Sequence, residues 1–173
     1  HGVPDGIPYS IEEGIVTIAM GLGKTVVEGE KTLRFSPSHP QLLPQRSTVE
    51  DILENAQRYF YALKMEKSCH YLETNDSANL WHREVTDADD ELPMQLLAST
   101  YVPDEHRIRD SVHVPGQRVL TFAHILKYRE FPLASILKEM LQLGEQGMGC
   151  PVEMEFSVNL TAEENHPPAF AFL

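Results

Sequence analysis

The residues best suited to chemistry lie near the end of the chain, in Pro151-Val152-Glu153-Met154-Glu155-Phe156-Ser157-Val158. Side chains alternate between faces along a strand. Val152, Met154, Phe156 and Val158 are therefore expected to enter the core, and Glu153, Glu155 and Ser157 to share the opposite face. Two carboxylates two residues apart stand about 6.5–7 Å apart by the strand rise. Magnesium favours one or two carboxylates supplemented by water and substrate phosphates. Such a strand could present acidic oxygens to a metal bridging nucleotide phosphates, neutralising charge as phosphoryl transfer requires. The same alternation also describes an ordinary half-exposed strand with its acids in water, and on the pattern alone that plainer reading is the commoner.

A second stretch, Gly21-Leu22-Gly23-Lys24-Thr25, follows an apolar run. A phosphate-binding P-loop needs Gly-x-x-x-x-Gly-Lys-Ser/Thr. Gly23-Lys24-Thr25 supplies its end, but Ile18 stands where its first glycine belongs. The dinucleotide fingerprint Gly-x-Gly-x-x-Gly fails at Val26. A turn that ends a strand is the simpler reading. The 8 histidines show no pair at metal-ligand spacing and no His-Glu-x-x-His. His106-Arg107-Ile108-Arg109, read as a strand, puts both arginines on one face and His106 with Ile108 on the other. Arginines suit phosphate, although exposed pairs more often serve as surface charge or ion-pair partners. No Gly-x-Ser-x-Gly elbow occurs.

The elements that must position these residues read as a mixture. The opening, His1 to Ser10, holds Pro4, Gly6 and Pro8 and reads as a loop. Ile15 to Met20 fits a short buried strand, with Lys24 to Glu30 a helical turn or another strand. Leu33 to Ser36 reads as extended, and Pro37, Pro40 and Pro44 mark a loop. Thr48-Val49-Glu50-Asp51 resembles a helix start, a hydroxyl followed by acids at the positive end of the dipole. Ile52, Leu53, Ala56 and Tyr59 continue it as a short amphipathic helix. Strands are expected over Phe60 to Met65, Leu80 to Val85, Met94 to Tyr101 and His106 to Val114. Asn75-Asp76 reads as a turn, and Asp87-Ala88-Asp89-Asp90-Glu91 as a solvated loop or helix start. The clearest helix runs from Pro132 to Gly144, where Leu133, Ile136, Leu137, Met140 and Leu141 share one face and Gly144 or Gly147 suits the stop. Pro151 to Leu160 and Ala169 to Leu173 read as strands across a turn at His166-Pro167-Pro168. Strands and helices without a regular βαβ alternation give the class α+β.

Composition bounds the rest. The 173 residues are enough for one domain, of which roughly 70% of the unfolded surface can be buried. With 42% hydrophobic and 23% charged residues the chain reads as globular. Lys plus Arg is 14 against 26 Asp plus Glu, a formal charge of −12 that argues against broad nucleic-acid binding. No apolar run approaches the ~20 residues of a bilayer span, and no signal-peptide pattern opens the chain. Cys69 and Cys150 are too few for a disulfide framework. No membrane partner and a cytoplasmic setting with reduced thiols are the expectation. His1 at the start and the apolar run at the end suggest a segment excised from a longer protein.

Ile15 to Gly29, with Gly21-Leu22-Gly23-Lys24-Thr25-Val26-Val27-Glu28-Gly29 at its centre, resembles the strand-Gly-Leu-Gly-Glu-x-Val-Val-x-Gly segment of phosphoenolpyruvate synthase. Gly149-Cys150-Pro151-Val152-Glu153-Met154-Glu155-Phe156 resembles the Pro-x-Asp-Ile-Glu-Trp/Phe strand shared by that enzyme and pyruvate phosphate dikinase. Ala169-Phe170-Ala171-Phe172-Leu173 looks like the family's next strand, cut before its Gln-x-Arg motif. The three stretches fall in family order and bracket nearly the whole chain. Together they shift the balance for the strand toward a nucleotide-metal role.

The resemblance implies the later part of an ATP-grasp nucleotide-binding domain over residues 1–173, with a mixed or antiparallel sheet packed by helices. Its cofactors would be ATP and Mg2+. It implies an ATP-dependent phosphotransferase that phosphorylates a histidine on a swivelling domain and then pyruvate, the other domains of the parent chain being its partners. Glu155 falls on the family's metal- and ATP-binding glutamate, and Glu153 on the neighbouring aspartate. The fragment alone is expected to be inactive, with no catalytic residue of its own. Lys24 stands where the family has glutamate, and residues 36–128 match no family motif. A different acceptor, such as an antibiotic or a glucan, and a degenerate domain kept for regulation or docking are the alternatives.

Overall fold

The computed structural model describes residues 13–65, 79–88, 93–161 and 167–173. The expected opening loop, the Asn75-Asp76 turn, Cys69, and parts of the Asp87–Glu91 and His166–Pro168 stretches lie outside them. The described elements run β1 (Val16–Ile18), α1 (Lys24–Val27), β2 (Leu33–Phe35), α2 (Val49–Asn55), β3 (Tyr59–Leu63), β4 (Leu80–Glu84), α3 (Met94–Leu97), β5 (Ala98–Val102), β6 (Arg107–Arg109), β7 (Gln117–Leu120), α4 (Ala123–Leu126), α5 (Leu133–Met148), β8 (Phe156–Asn159) and β9 (Ala169–Phe172). The class is α+β. Its strands form four small sheets, β1-β2, β3-β4, β6-β5-β7 and β8-β9, and every described pairing is antiparallel.

One apolar core draws on all four sheets and on α3, α4 and α5. Phe35, Leu33, Leu120 and Leu126 are among its most deeply buried side chains, and Phe60, Leu133 and Leu137 join them. α5 carries its stripe as the periodicity predicts: Leu133 and Leu137 are buried, and Ile136, Met140 and Leu141 half-buried. α2 begins with a capping box, in which the Asp51 backbone N–H donates to Thr48 Oγ1 and the Thr48 N–H donates to the Asp51 carboxylate, both at 3.1 Å.

Several expectations shift. α5 does not stop at Gly144 or Gly147 but runs on to Gly149, which takes a left-handed φ of 68° and donates to Glu145 O. Gly144 instead marks a close approach, since a Cβ there would lie 2.9 Å from Val152 Cγ2. Met94 to Tyr101 is not one strand. Met94–Leu97 closes a helical turn that buries Met94 and Leu97, and only then does β5 begin. The strand expected over His106 to Val114 shrinks to Arg107–Arg109, because His106 takes a left-handed φ of 48° at the end of a 3₁₀ turn. β7 and α4 were not legible. Phe122 joins them in a left-handed conformation, φ 54°, costly for a bulky residue. Its burial and the bonds from Thr121 N–H and Phe122 N–H to Leu97 O hold it there.

Candidate functional site

The arm from residue 151 to residue 160 runs from the end of α5 along its last turns. Regular pairing covers only Phe156–Asn159, shorter than the expected strand, yet exposure alternates without a break from Pro151 to Leu160. Val152 fits over Gly144, which lets the backbone of the arm lie close to the helix. Further along, Phe156 stacks on Phe170 of β9 with ring centroids 5.4 Å apart, and Phe156, Val158 and Phe170 pack against the core. The ladder continues past β8 by one bond, from Leu173 N–H to Glu155 O at 3.0 Å. One face of the arm is thus pinned by helix and core, and a partner strand holds the Glu155 backbone.

The opposite face carries Glu153, Glu155, Ser157 and Asn159, all exposed. Among the described residues neither carboxylate has a hydrogen-bond or ion-pair partner. Side chains with open oxygens on a fixed backbone suit a hard cation that brings its own phosphates and water. Carboxylate oxygens are of the donor type that Mg2+ takes. Among the described residues no three His, Cys, Asp or Glu side chains converge to enclose a metal unaided.

The glycine turn behaves differently. Gly21 has φ 88°, and a Cβ there would lie 2.7 Å from Tyr61 O. Leu22 N–H donates to that same carbonyl at 3.0 Å. The turn is glycine because it presses against β3, not because a ligand approaches it. Thr25 is fully buried, hydroxyl included, so the Gly23-Lys24-Thr25 end of a P-loop is not presented to phosphate.

Lys24 joins a closed cluster. Its Nζ lies 3.3 Å from Glu28 and 5.2 Å from the centre of the Tyr61 ring. The Tyr61 hydroxyl reaches Glu28 Oε2 at 2.8 Å and Glu30 Oε1 at 3.1 Å, so two carboxylates share one phenolic proton. His82 stacks on Tyr59 and Tyr61 and brings Nε2 to 3.6 Å from Glu30. The bond from Tyr61 holds the Glu28 carboxyl below its ordinary value. Reciprocally, Glu28 pushes the Tyr61 phenol up.

No family model, no curated protein and no solved structure matches the chain. The site rests on its own geometry.

A third group of side chains escaped the sequence reading. Ser99, fully buried on β5, lies 3.0 Å from Asp110 Oδ1 and 2.6 Å from the Thr121 hydroxyl. Lys127 Nζ and the Tyr128 hydroxyl each donate to Asp110 Oδ2 at 2.9 Å. His124 bridges Glu130, at 2.6 Å, and the Asp110 carbonyl, at 3.1 Å. Burial pushes Asp110 up, but the bonds from Lys127, Tyr128 and Ser99 outweigh it and leave the carboxyl below its usual range. The hydrogen bond to Glu130 raises His124 above its ordinary value despite some desolvation. No sequence spacing signals this group, because pairing of β5 with β6 and β7 creates it. Of the two arginines on β6, Arg109 forks onto Glu105 at 2.9 and 2.6 Å, the ion-pair role that exposed arginines commonly take. His106, in its turn, meets Tyr101 and Glu50.

Proposed function

We propose that the chain is the Mg-ATP-binding part of a phosphotransferase of the phosphoenolpyruvate synthase kind, built as the later portion of an ATP-grasp domain. In this reading Glu155 holds the metal and Glu153 assists it. The observation that carries it is the pair of exposed carboxylates without partners among the described residues, on an arm whose other face is fixed against α5 and β9. Its support in sequence is the resemblance of Pro151–Phe156 and of Ala169–Leu173 to successive strands of that family, and the two stretches touch where Phe156 pairs with Phe172 and Leu173 N–H donates to Glu155 O. Bound magnesium would neutralise charge on the phosphoryl group being passed to a histidine outside this chain and then to pyruvate. The chain's own task is to hold carboxylate oxygens at fixed positions without collapsing them onto nearby cations. Fixed groups need no reorganisation when charge develops, which is the larger part of their value.

The test is Glu155→Gln in the full-length protein carrying this segment, read as Mg2+- and ATP-dependent phosphohistidine formation. Loss of about 100-fold with an unchanged melting temperature is expected. An unchanged rate assigns the domain to regulation or docking instead. That second reading draws on Lys24, whose charge is reversed from the family's glutamate and is directed inward at Glu28 and Tyr61.

A further inference from the structure

The register of the β8-β9 ribbon fixes what the far edge of β9 presents. The bond from Leu173 N–H to Glu155 O makes those two residues a hydrogen-bonded pair. Bonded and non-bonded pairs alternate along an antiparallel ladder. Counting back through Phe172↔Phe156, Ala171↔Ser157, Phe170↔Val158 and Ala169↔Asn159, the backbone groups of Ala171 and Ala169 turn toward β8. Those of Phe170 and Phe172 turn away from it. Among the described residues no third strand lies beside β9, and the N–H and C=O groups of Phe170 and Phe172 have no hydrogen-bond partner.

An open strand edge is a template for pairing, and proteins ordinarily blunt it with charge. Other strands at the ends of their sheets do so: β4 carries His82, Arg83 and Glu84, β6 carries Arg107 and Arg109, and β7 carries Arg118. β9 and the residue after it read Ala169-Phe170-Ala171-Phe172-Leu173, with no charged side chain. Phe172 is 58% exposed and Leu173 69%, and Ala169 and Ala171 are exposed as well. Neighbouring residues of a strand point to opposite faces, so apolar side chains reach solvent on both faces of this edge.

We propose that β9 pairs antiparallel with β9 of a second copy of this chain, about a two-fold axis at Ala171, so that the two ribbons join into one sheet in the order β8-β9-β9-β8. Phe170 of each copy then exchanges hydrogen bonds with Phe172 of the other, which engages every open N–H and C=O of the two residues. Side chains match by size across the new pair: Ala171 meets Ala171, Ala169 meets Leu173, and Phe170 lies beside the exposed Phe172. Moving the axis to Phe170 would set Pro168, which has no N–H, opposite Phe172 and lose a donor.

Charge favours this occupant. The chain carries −12 overall, yet β9 offers a charged partner strand no counter-charge, and a second β9 brings none to answer. Glu155 stands on β8, two strand spacings or about 9.5 Å from the second β9. That is about one Debye length at physiological salt, so its repulsion is weak there. A strand this short buries less than about 1,200 Å², the lower end for a stable interface. The pair is therefore weak, and its population follows concentration. The added strand extends the sheet in its own plane and leaves the face of Glu153 and Glu155 open, so the inference does not rest on the metal reading.

The experiment follows the chain by sedimentation equilibrium, and the Phe170 and Phe172 amides by NMR, between about 10 μM and 1 mM, the weak end of the affinity scale. A monomer–dimer equilibrium is expected, with both amides shifting and slowing in hydrogen exchange as the dimer forms. Ala171→Lys sets like charges face to face across the axis and should weaken the dimer at least about fivefold, with the melt of the dilute chain unchanged. Mixing Ala171→Lys with Ala171→Glu should restore association as a heterodimer. Ala169→Lys, which sets a charge against Leu173 of the other copy, carries the test if Ala171→Lys proves unstable. No dimer at the highest concentration, growth beyond a dimer, or a lysine variant that associates as the parent does would overturn the proposal. So would a mixture no tighter than Ala171→Lys alone. Amides already protected where the chain is monomeric would mean that another segment of the chain covers the edge, and would overturn it too.

Discussion

Two regions of this molecule gather acidic side chains at the surface, and they differ in what those acids face. Around Tyr61, Glu28 and Glu30 share a phenolic proton, Lys24 lies 3.3 Å from one carboxylate and His82 lies 3.6 Å from the other. Along the arm after α5, Glu153 and Glu155 have no such company among the described residues. The first region ties α1 and the segment after it to the β3-β4 hairpin, and each of its carboxylates has a partner within the cluster. The second leaves oxygens open on a backbone that the fold has already fixed. Charge alone does not mark a site; charge that the fold has positioned and left unpaired is the better sign.

The comparison predicts opposite behaviour for substitutions in the two regions. The largest effect belongs to the open acids. On the proposed reading, joint replacement Glu153→Gln and Glu155→Gln should cost about 100-fold in Mg2+-dependent phosphohistidine formation by the full-length protein. Stability should stay within about 0.5 kcal/mol of the parent, as is usual for surface changes. Urea unfolding measured beside the activity separates the two, and a large loss of stability would mean that the acids support the fold after all.

Gly21→Ala should do the reverse. The left-handed φ and the approach to Tyr61 O make any side chain costly there, and a loss of about 2–3 kcal/mol in urea unfolding is expected. A variant as stable as the parent would reopen the turn as a place for a ligand.

A smaller effect lies in the network around Asp110. His124 has its pKa raised in the folded state, so its stabilising contribution is complete below the unfolded value of 6.5 and fades as pH rises through the folded value. Unfolding free energies at pH 6 and pH 8.5, bracketing an ordinary histidine, should therefore differ less in His124→Gln than in the parent. An equal difference in both would place the dependence elsewhere.

The smallest is Tyr61→Phe. Glu28 is held below its ordinary value first by the Tyr61 hydroxyl. Its contribution is thus present above the unfolded value of 4.5 and is lost as pH falls through the lowered folded value. Without the hydroxyl, Glu28 followed by NMR should titrate closer to 4.5. A titration that did not move would show that Lys24 and His82 suffice to hold the cluster.

How much of this could be read beforehand depends on the range of the interaction. The α2 start announced itself through Thr48 and Asp51, because a capping box closes within four residues. The stripe on α5 was legible for the same reason. Its end was not, since Gly144 serves Val152 from a later segment and only Gly149 takes the stop conformation. Met94–Leu97 read as a strand because four residues carry too little periodicity to separate a buried helical turn from a strand. For the arm, alternation placed Glu153 and Glu155 on one face, which the exposure pattern matches. What lies behind that face, Gly144 and β9, involves contacts that no local window contains.

By itself the sequence determined the mixed α and β character, the capped start of α2, the apolar stripe of α5 and the alternating faces after Pro151. Each of these follows from bonds or periods that close within a few neighbouring residues. Only the tertiary structure decided that Gly21 serves β3, that Lys24 turns toward Glu28 and Tyr61, and that Ser99, Asp110, His124 and Lys127 meet. Strand pairing and core packing bring together residues far apart along the chain, and the types of those residues do not encode which of them will become neighbours.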